Sequence, residues 1–469
     1  MSEEGYYRND SEIEGLVQKF EDMLAQDSNF YFDLDEFESI IEYYISDNKF
    51  TEASKVIGYA SEMFPNSTVL MLREAQLLAS NGHLDRALVR LKNLLAFEPN
   101  NEEIHLSLAS VYSQVQNHHK AVTHLKEALR LSDKELRDDI YIDIALEYEN
   151  LGNFGKAVDI LKVALRHNPE NETAIHELAF CFEMNGQIEE CIAYYKKFID
   201  RYPYSYISWY NLGNAYMKLE DAENAVDAFD YSIVIEEDFG PAYFNRSMAF
   251  IELEKFDEAI EDLLETIRIE SPQASTYCYI GECLEKLGKF DEAVSYYRKS
   301  VAMNDTYSES YVGLGVVHDL MDKRIEALEF FKHALVLEPE NVDFIFLLAD
   351  CLRKNGDLQE AQEVYQNLIT IEPSNEEGWL EYTDLLAANA ELEQASEKIE
   401  LALLRCPLSI PLQFRKVAYL HSLGRKNDAY TLLQELLPVH GNQSDELTDY
   451  YPEIRKDPNY RDLCQLYGK

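Results

Sequence analysis

Small and apolar residues recur along this chain in pairs of helical stripes, and the pairs themselves recur. Between Tyr206 and Glu237, Trp209, Leu212, Gly213 and Tyr216 fall at i, i+3, i+4 and i+7, one face of an α-helix. Ala225, Phe229 and Ser232 repeat that spacing on a second helix. Steps of 34 residues from Ala225 reach Ala259, Ala293, Ala327, Ala361, Ala395 and Ala429 in one direction and Cys191 in the other. Ala157, Ala121, Ala87 and Ala53 continue the series, with one longer interval of 36 residues between Ala121 and Ala157. Four residues after each comes a large apolar side chain: Ile57, Leu91, Leu125, Leu161, Tyr195, Phe229, Leu263, Tyr297, Phe331, Tyr365, Ile399 and Leu433.

The period predicts twelve helix pairs, starting near Leu34, Thr68, Glu102, Asp138, Glu172, Tyr206, Gly240, Ala274, Ser308, Val342, Glu376 and Ile410. Turn residues agree with this division. Gly82, Gly152, Gly186, Gly288, Gly356 and Gly424 share one position with Asn48 and Asp322, where the chain must leave a helix in the left-handed conformation. Pro65, Pro99, Pro169, Pro203, Pro339, Pro373 and Pro407 mark the end of the second helix, and Pro272 falls one residue late. The recurrent alanine lies where the two helices press together, and a Leu at Ala225 would overpack that contact by about 1–3 kcal/mol. Trp209 and Phe229 read as seam residues whose truncation costs about 3–5 kcal/mol if they are fully buried. Glu74 and Lys416 break the pattern at the position of Leu212, and the sequence gives no reason for Glu74.

Residues 1–33 form an acidic segment in which Ser11 and Glu14 suggest a capping box before the stripe Ile13, Leu16, Val17, Phe20, Met23 and Leu24. The implied helix covers the first repeat, whose outer face is otherwise wet; a tail that folds on a partner is the alternative. Residues 34–443 carry the repeats, and 444–469 read as two short capping helices, Asp445 to Arg455 and Pro458 to Tyr467. The extra residues near Leu131 to Asp139 read as a loop insertion.

The unit Trp209-x2-Leu212-Gly213-x2-Tyr216, followed by Ala225-x3-Phe229, resembles the tetratricopeptide repeat, lacking only its closing proline. The resemblance implies an all-α, right-handed superhelical α-solenoid with terminal capping helices. It also implies a concave groove that holds an extended peptide or a partner helix, lined by positions two, five, six, nine, twelve and thirteen of each repeat. Those positions carry two acidic clusters here. One is Asp139, Asp143, Glu149, Glu177 and Glu183; the other is Glu309, Asp319, Asp343, Asp350, Glu381 and Asp384. Asn211, Asn214 and Asn245 stand where family members grip a peptide backbone with amides. The Lys-Asn set of the family's carboxylate clamp is missing, and the even spacing resembles bacterial members.

Charge narrows the partners. Lys and Arg number 42 against 87 Asp and Glu, a formal net charge of −45. Nucleic acid and anionic membrane are repelled, while a Lys/Arg-rich protein segment is attracted, unless the charge serves only solubility. No apolar run reaches membrane-spanning length and the N-terminus lacks a secretory pattern, so the expected location is the cytoplasm. The seven cysteines, Cys181, Cys191, Cys278, Cys283, Cys351, Cys406 and Cys464, show no CxxC spacing and read as reduced, buried, small apolar residues. His105, His118, His119 and His124 cluster without a carboxylate or cysteine at ligand spacing and read as a solvated loop, with no metal site. Phosphate loops, nucleophile elbows and HExxH are missing, so neither catalysis nor a cofactor is expected. The chain reads as a protein-binding scaffold or adaptor. Two alternatives stay open: a regulatory or substrate-recruiting subunit of an enzyme complex, and a self-assembling structural solenoid.

Overall fold

Why the same hairpin forms twelve times is visible in its turn. The structure, a computed structural model, describes residues 10–26, 30–134, 136–440 and 443–467. In every repeat the fifteenth residue has positive φ: Asn48, Gly82, Gln116, Gly152, Gly186, Glu220, Glu254, Gly288, Asp322, Gly356, Ala390 and Gly424. Its N–H bonds the carbonyl three residues back, and the next N–H bonds the carbonyl five back, as in Gly82 to Ala79 at 2.9 Å and His83 to Leu78 at 2.8 Å. This pairing satisfies carbonyls that the helix end leaves orphaned and turns the chain at once into the second helix. A Cβ at Gly82 would meet nothing within 4 Å, so the demand there is conformational. Gln116, Glu220, Glu254 and Ala390 carry the strain without glycine, which composition did not reveal.

Helix entry has its own chemistry. Asp33, Ser67, Asn101, Asn171, Asn341, Asn375 and Ser409 each accept a backbone N–H of the helix that follows. Glu36 reaches back to complete a capping box at Asp33. The first helix is Asp10–Gln26, so Ser11 lies inside it, and the Ser11 side chain, on which the expected capping box rests, is outside the described residues.

The chain divides into two units, Met1–Glu237 and Asp238–Lys469. In unit 1, helix Asp10–Gln26 precedes the pairs Leu34–Ser46 with Phe50–Met63, Thr68–Ser80 with Leu84–Phe97, and Glu102–Gln114 with His118–Leu131. Arg137–Asn150 with Phe154–His167, Glu172–Met184 with Ile188–Ile199, and Tyr206–Met217 with Ala222–Ile235 complete it. In unit 2 the pairs are Gly240–Glu252 with Phe256–Ile269, Ala274–Lys286 with Phe290–Met303, and Ser308–Leu320 with Arg324–Leu337. Then come Val342–Asn355 with Leu358–Ile371, Glu376–Ala388 with Leu392–Arg405, and Ile410–Ser422 with Lys426–His440. Within each unit a second helix packs on its own first helix and on the first helix of the next repeat. The fold is an all-α solenoid of stacked hairpins, with no strand among the described residues.

The core sits at the recurrent small residue and the large one after it. Eleven alanines there are 0 % exposed and Cys191 is 2 %. The large residues four positions on are all buried. Size is traded across the hairpin. A Cβ on Gly213 would stand 2.6 Å from the Phe229 ring, and one on Gly315 would stand 2.5 Å from Phe331. Tyr297 is wedged between Gly281 of its own repeat and Gly313 of the next. Where the large residue is Ile57 or Leu433, the facing position holds the bigger Ile41 or Val417. In unit 1 a second device ties successive repeats. Lys92 lies over Tyr112 at 5.7 Å, Lys126 over Tyr148 at 5.2 Å, Lys162 over Phe182 at 4.7 Å and Lys196 over Tyr216 at 5.2 Å. Each ammonium gains about 0.5–1 kcal/mol from the ring face.

Several expectations are corrected. Trp209 is only half-buried; its Nε1 donates to the Pro203 carbonyl at 2.9 Å and its ring stacks on Tyr231. The cost for full burial therefore applies to Phe229 and not to Trp209. Glu74 pairs with Arg90 at 2.6 Å, and at the same position of the seventh repeat Arg246 forms a two-pronged pair with buried Asp262, at 2.6 and 2.7 Å. Both partners lie sixteen residues on, so a charge at this position is neutralised by the second helix of its own hairpin. Lys416 pairs backwards, with Glu400 at 2.9 Å. The two extra residues before the fourth repeat are shared between the connection and a helix that starts at Arg137, where Arg137 Nε holds the Ser132 carbonyl at 3.1 Å. The first tail helix stops at Tyr450, because Pro452 opens a separate 3-10 turn, Pro452–Lys456, before Pro458–Leu466.

The shared turn yields a paired test. Ala390→Gly raises stability and Gly82→Ala lowers it, each by about 1 kcal/mol in urea denaturation, because an L residue is strained at positive φ.

Candidate protein-binding groove

The first helices of repeats two, three and four line a cavity of about 780 Å³ in unit 1. Its floor is the seam, Leu91 and Leu125, and its walls carry Gln76, Ser107, Ser110, Gln114 and Asn150 beside Glu103, Asp143 and Glu147. No lysine or arginine lines it among the described residues. Arg73 is held by Glu38 and Glu42 at 2.7 Å each and by Glu103, a lining residue, which ties three repeats together. Gln76 extends this contact to the Ser107 hydroxyl at 2.9 Å.

Of the first acidic cluster, Asp143 lines this space. Burial raises the Asp143 carboxyl above its ordinary value, and the neighbouring charges of Asp139 and Glu147 add to the rise. Glu149 is raised by burial and by Glu177, against the opposing hydrogen bond from the Cys181 thiol at 3.1 Å. Asp139, Asp143 and Glu177 form no ion pair among the described residues, whereas exposed Glu183 pairs with Lys218 at 2.6 Å.

The second cluster, in unit 2, is internally neutralised. Asp319 holds Lys354 at 2.9 Å, Asp350 holds Arg353 at 2.5 Å and Lys354 at 2.7 Å, and Glu381 reaches Arg353 at 3.5 Å. Asp384 accepts from Arg415 at 3.0 Å and from the Tyr419 hydroxyl at 2.6 Å. Of this set, Glu309 and Asp343 alone stand exposed without an ion pair among the described residues.

Sequence models of the tetratricopeptide repeat match residues 102–135, 138–171, 184–243, 210–275, 274–307 and 320–366, just over half of the chain. The chain belongs to the tetratricopeptide repeat family. No curated protein matches it in sequence. Similar solved structures include the APC/C hetero-tetramer Cut9-Hcn1, 14% identical over 88% of this chain and 99% of that one, with a TM-score of 0.41. YrrB, described as a tetratricopeptide repeat protein with an unusual peptide-binding site, is 19% identical over 39% of this chain and 93% of its own, with a TM-score of 0.32. MamA is 27% identical over 36% and 93%, also at 0.32. Likenesses at these scores carry no functional argument.

In this tetratricopeptide array Asn211 is drawn into the contact between repeats. It is 2 % exposed, and its amide donates to the Ile175 carbonyl at 3.2 Å, which the buried Tyr195 hydroxyl also bonds. That carbonyl lies on the preceding repeat, so Asn211 is a stacking contact. Asn214 and Asn245 are half-buried and already engaged, Asn214 beside a small cavity of about 160 Å³. Five cysteines are buried as expected, while Cys406 and Cys464 are half-buried; all seven are free.

Three of the four histidines are drawn into the fold, and His119 is exposed. His105 is 6 % exposed, and its Nδ1 lies 3.0 Å from Nδ1 of His124, whose ring stacks on Tyr112. His118 opens a helix and meets buried Glu147 at 2.8 Å, a carboxylate that sequence distance had hidden. No metal-holding group of three appears among the described residues.

Burial lowers His124 to about 4, with the charge of His105 as the next cause. The fold therefore favours the neutral ring, and the stability it contributes is complete above the unfolded value near 6.5 and drains away as pH falls towards 4. The melting temperature of the native protein minus that of His124→Phe, recorded across pH, is expected to be flat above neutrality and to decline through this window.

Proposed function

We propose that the chain is a non-catalytic scaffold or adaptor whose first acidic cluster holds an extended, Lys/Arg-rich segment of a partner protein. The segment runs along the first helices of repeats two to five in unit 1. The observation that supports this choice is the contrast in charge balance. Asp139, Asp143 and Glu177 form no ion pair among the described residues and Asp143 lines the cavity, whereas the acidic residues of unit 2 are mostly paired within the fold. An incoming ammonium or guanidinium relieves the repulsion among Asp143, Asp139 and Glu147, which adds to the effect of burial on Asp143, while Ser and Gln side chains along the wall offer hydrogen bonds to an extended backbone.

The rest of the chain is consistent with an adaptor. Among the described residues no helix is long and apolar enough to cross a membrane. Val17 and Phe20 of helix Asp10–Gln26 are buried on the first repeat, and Leu447, Ile454, Tyr460 and Leu463 of the tail are buried on the last. Covered terminal faces favour an adaptor over end-to-end stacking. Cytoplasm is the setting this reading supposes.

The test uses a labelled, extended Lys/Arg peptide followed by fluorescence anisotropy. Asp143→Lys with Glu177→Lys is expected to weaken binding about tenfold or more, and Asp343→Lys, in the other cluster, to leave it unchanged. Affinity should fall as salt screens the contact, and also as pH drops through the raised Asp143 titration, since the bound state requires the ionised carboxylate. Binding indifferent to both salt and the unit 1 substitutions contradicts the reading.

A further inference from the structure

We propose that unit 1 carries a second recognition site, a slot for a single arginine side chain, on the edge where the connections preceding repeats five and six come together. It stands apart from the groove. The two connections enclose a cavity of about 560 Å³ lined by Glu170 and Glu172 from one side and by Arg201, Tyr202, Tyr204 and Tyr206 from the other. Three phenol rings at alternate residues are an unusual expense on a charged surface, and Tyr204 is 83 % exposed, so packing does not explain it.

The frame of the slot is rigid. Tyr202 is braced by Phe198, with ring centroids 4.8 Å apart. The carbonyl of Pro203, between Tyr202 and Tyr204, accepts from Trp209 Nε1 at 2.9 Å, and Trp209 stacks on Tyr231 at 4.4 Å.

Charge decides the occupant. Glu170 and Glu172 are exposed and form no ion pair among the described residues, and neither does Arg201, so two carboxylates face one guanidinium. Ring faces beside uncompensated carboxylates attract a cation. A guanidinium suits the slot better than an ammonium because it stacks flat on a phenol while its edge reaches a carboxylate with two N–H groups. A proline-rich segment, the other ligand of aromatic grooves, needs donors for its carbonyls. Such a segment carries no charge, so it gains nothing from the slot's two carboxylates, whereas a guanidinium does.

The chain has two tryptophans, so Trp379→Phe leaves Trp209, next to the slot, as the single indole reporter. The full-length variant is titrated with capped Gly-Arg-Gly and with its citrulline counterpart, which keeps the shape and removes the charge, with calorimetry alongside. Saturable binding of the arginine peptide is expected, about tenfold tighter than the citrulline peptide. Tyr204→Ala and Glu170→Gln, both at exposed positions, should abolish that preference. Asp143→Lys should retain it, which separates failure here from failure of the groove. Equal binding of the two peptides, no saturable binding by calorimetry, or a preference that survives Tyr204→Ala and Glu170→Gln overturns the proposal.

Discussion

Two helices can press together along their length only where one side chain between them is no larger than a methyl or a thiol. That contact, made by Ala225 and its eleven counterparts, sets the distance within each hairpin, and the next layer follows from it. The large residue four positions on must fit the remaining space. Hence Phe229 faces Gly213, Tyr297 fills the gap between two glycines, and the aliphatic Ile57 faces the bulkier Ile41. Once the spacing within a hairpin is fixed, its first helix presents the same positions to the same side in every repeat. In unit 1 this places Gln76, Ser107, Asp143 and Glu147 around one cavity, although they are far apart in the chain.

Most of the fold was legible because local chemistry and period agree. Eleven of the twelve first helices start at the residue the spacing indicated, and the exception, Arg137, is early by one where the period itself is broken. What escaped had no local signature. The left-handed turn residues Gln116, Glu220, Glu254 and Ala390 are held by the two helices they join, against their own preference. Asn211 matched a ligand-binding pattern and is a stacking contact, since its partner is a backbone carbonyl in another repeat.

Of the first cluster the structure sets Asp143 at the cavity, and the charge balance of both clusters was illegible in the sequence. Asp384 with Arg415, Asp319 with Lys354 and Glu183 with Lys218 are separated by roughly one repeat. Such partners are neighbours only after stacking, so an acidic cluster counted along the sequence overstates the free charge. A search for opposite charges about one period apart would have found them. The same search returns nothing for Asp139 and Asp143, and Asp143 lines the cavity without an ion pair among the described residues. Arg73, which ties Glu38, Glu42 and Glu103 across three repeats, could have been found in the same way.

If methyl-sized contacts fix each hairpin and stacked hairpins make the groove, enlarging one contact must act locally. Amide hydrogen exchange of Ala121→Leu tests this most directly. The account predicts lost protection in the helices of repeats two to four with repeats nine to eleven unchanged. Unaltered exchange around Leu125, or a uniform rise throughout the chain, contradicts it.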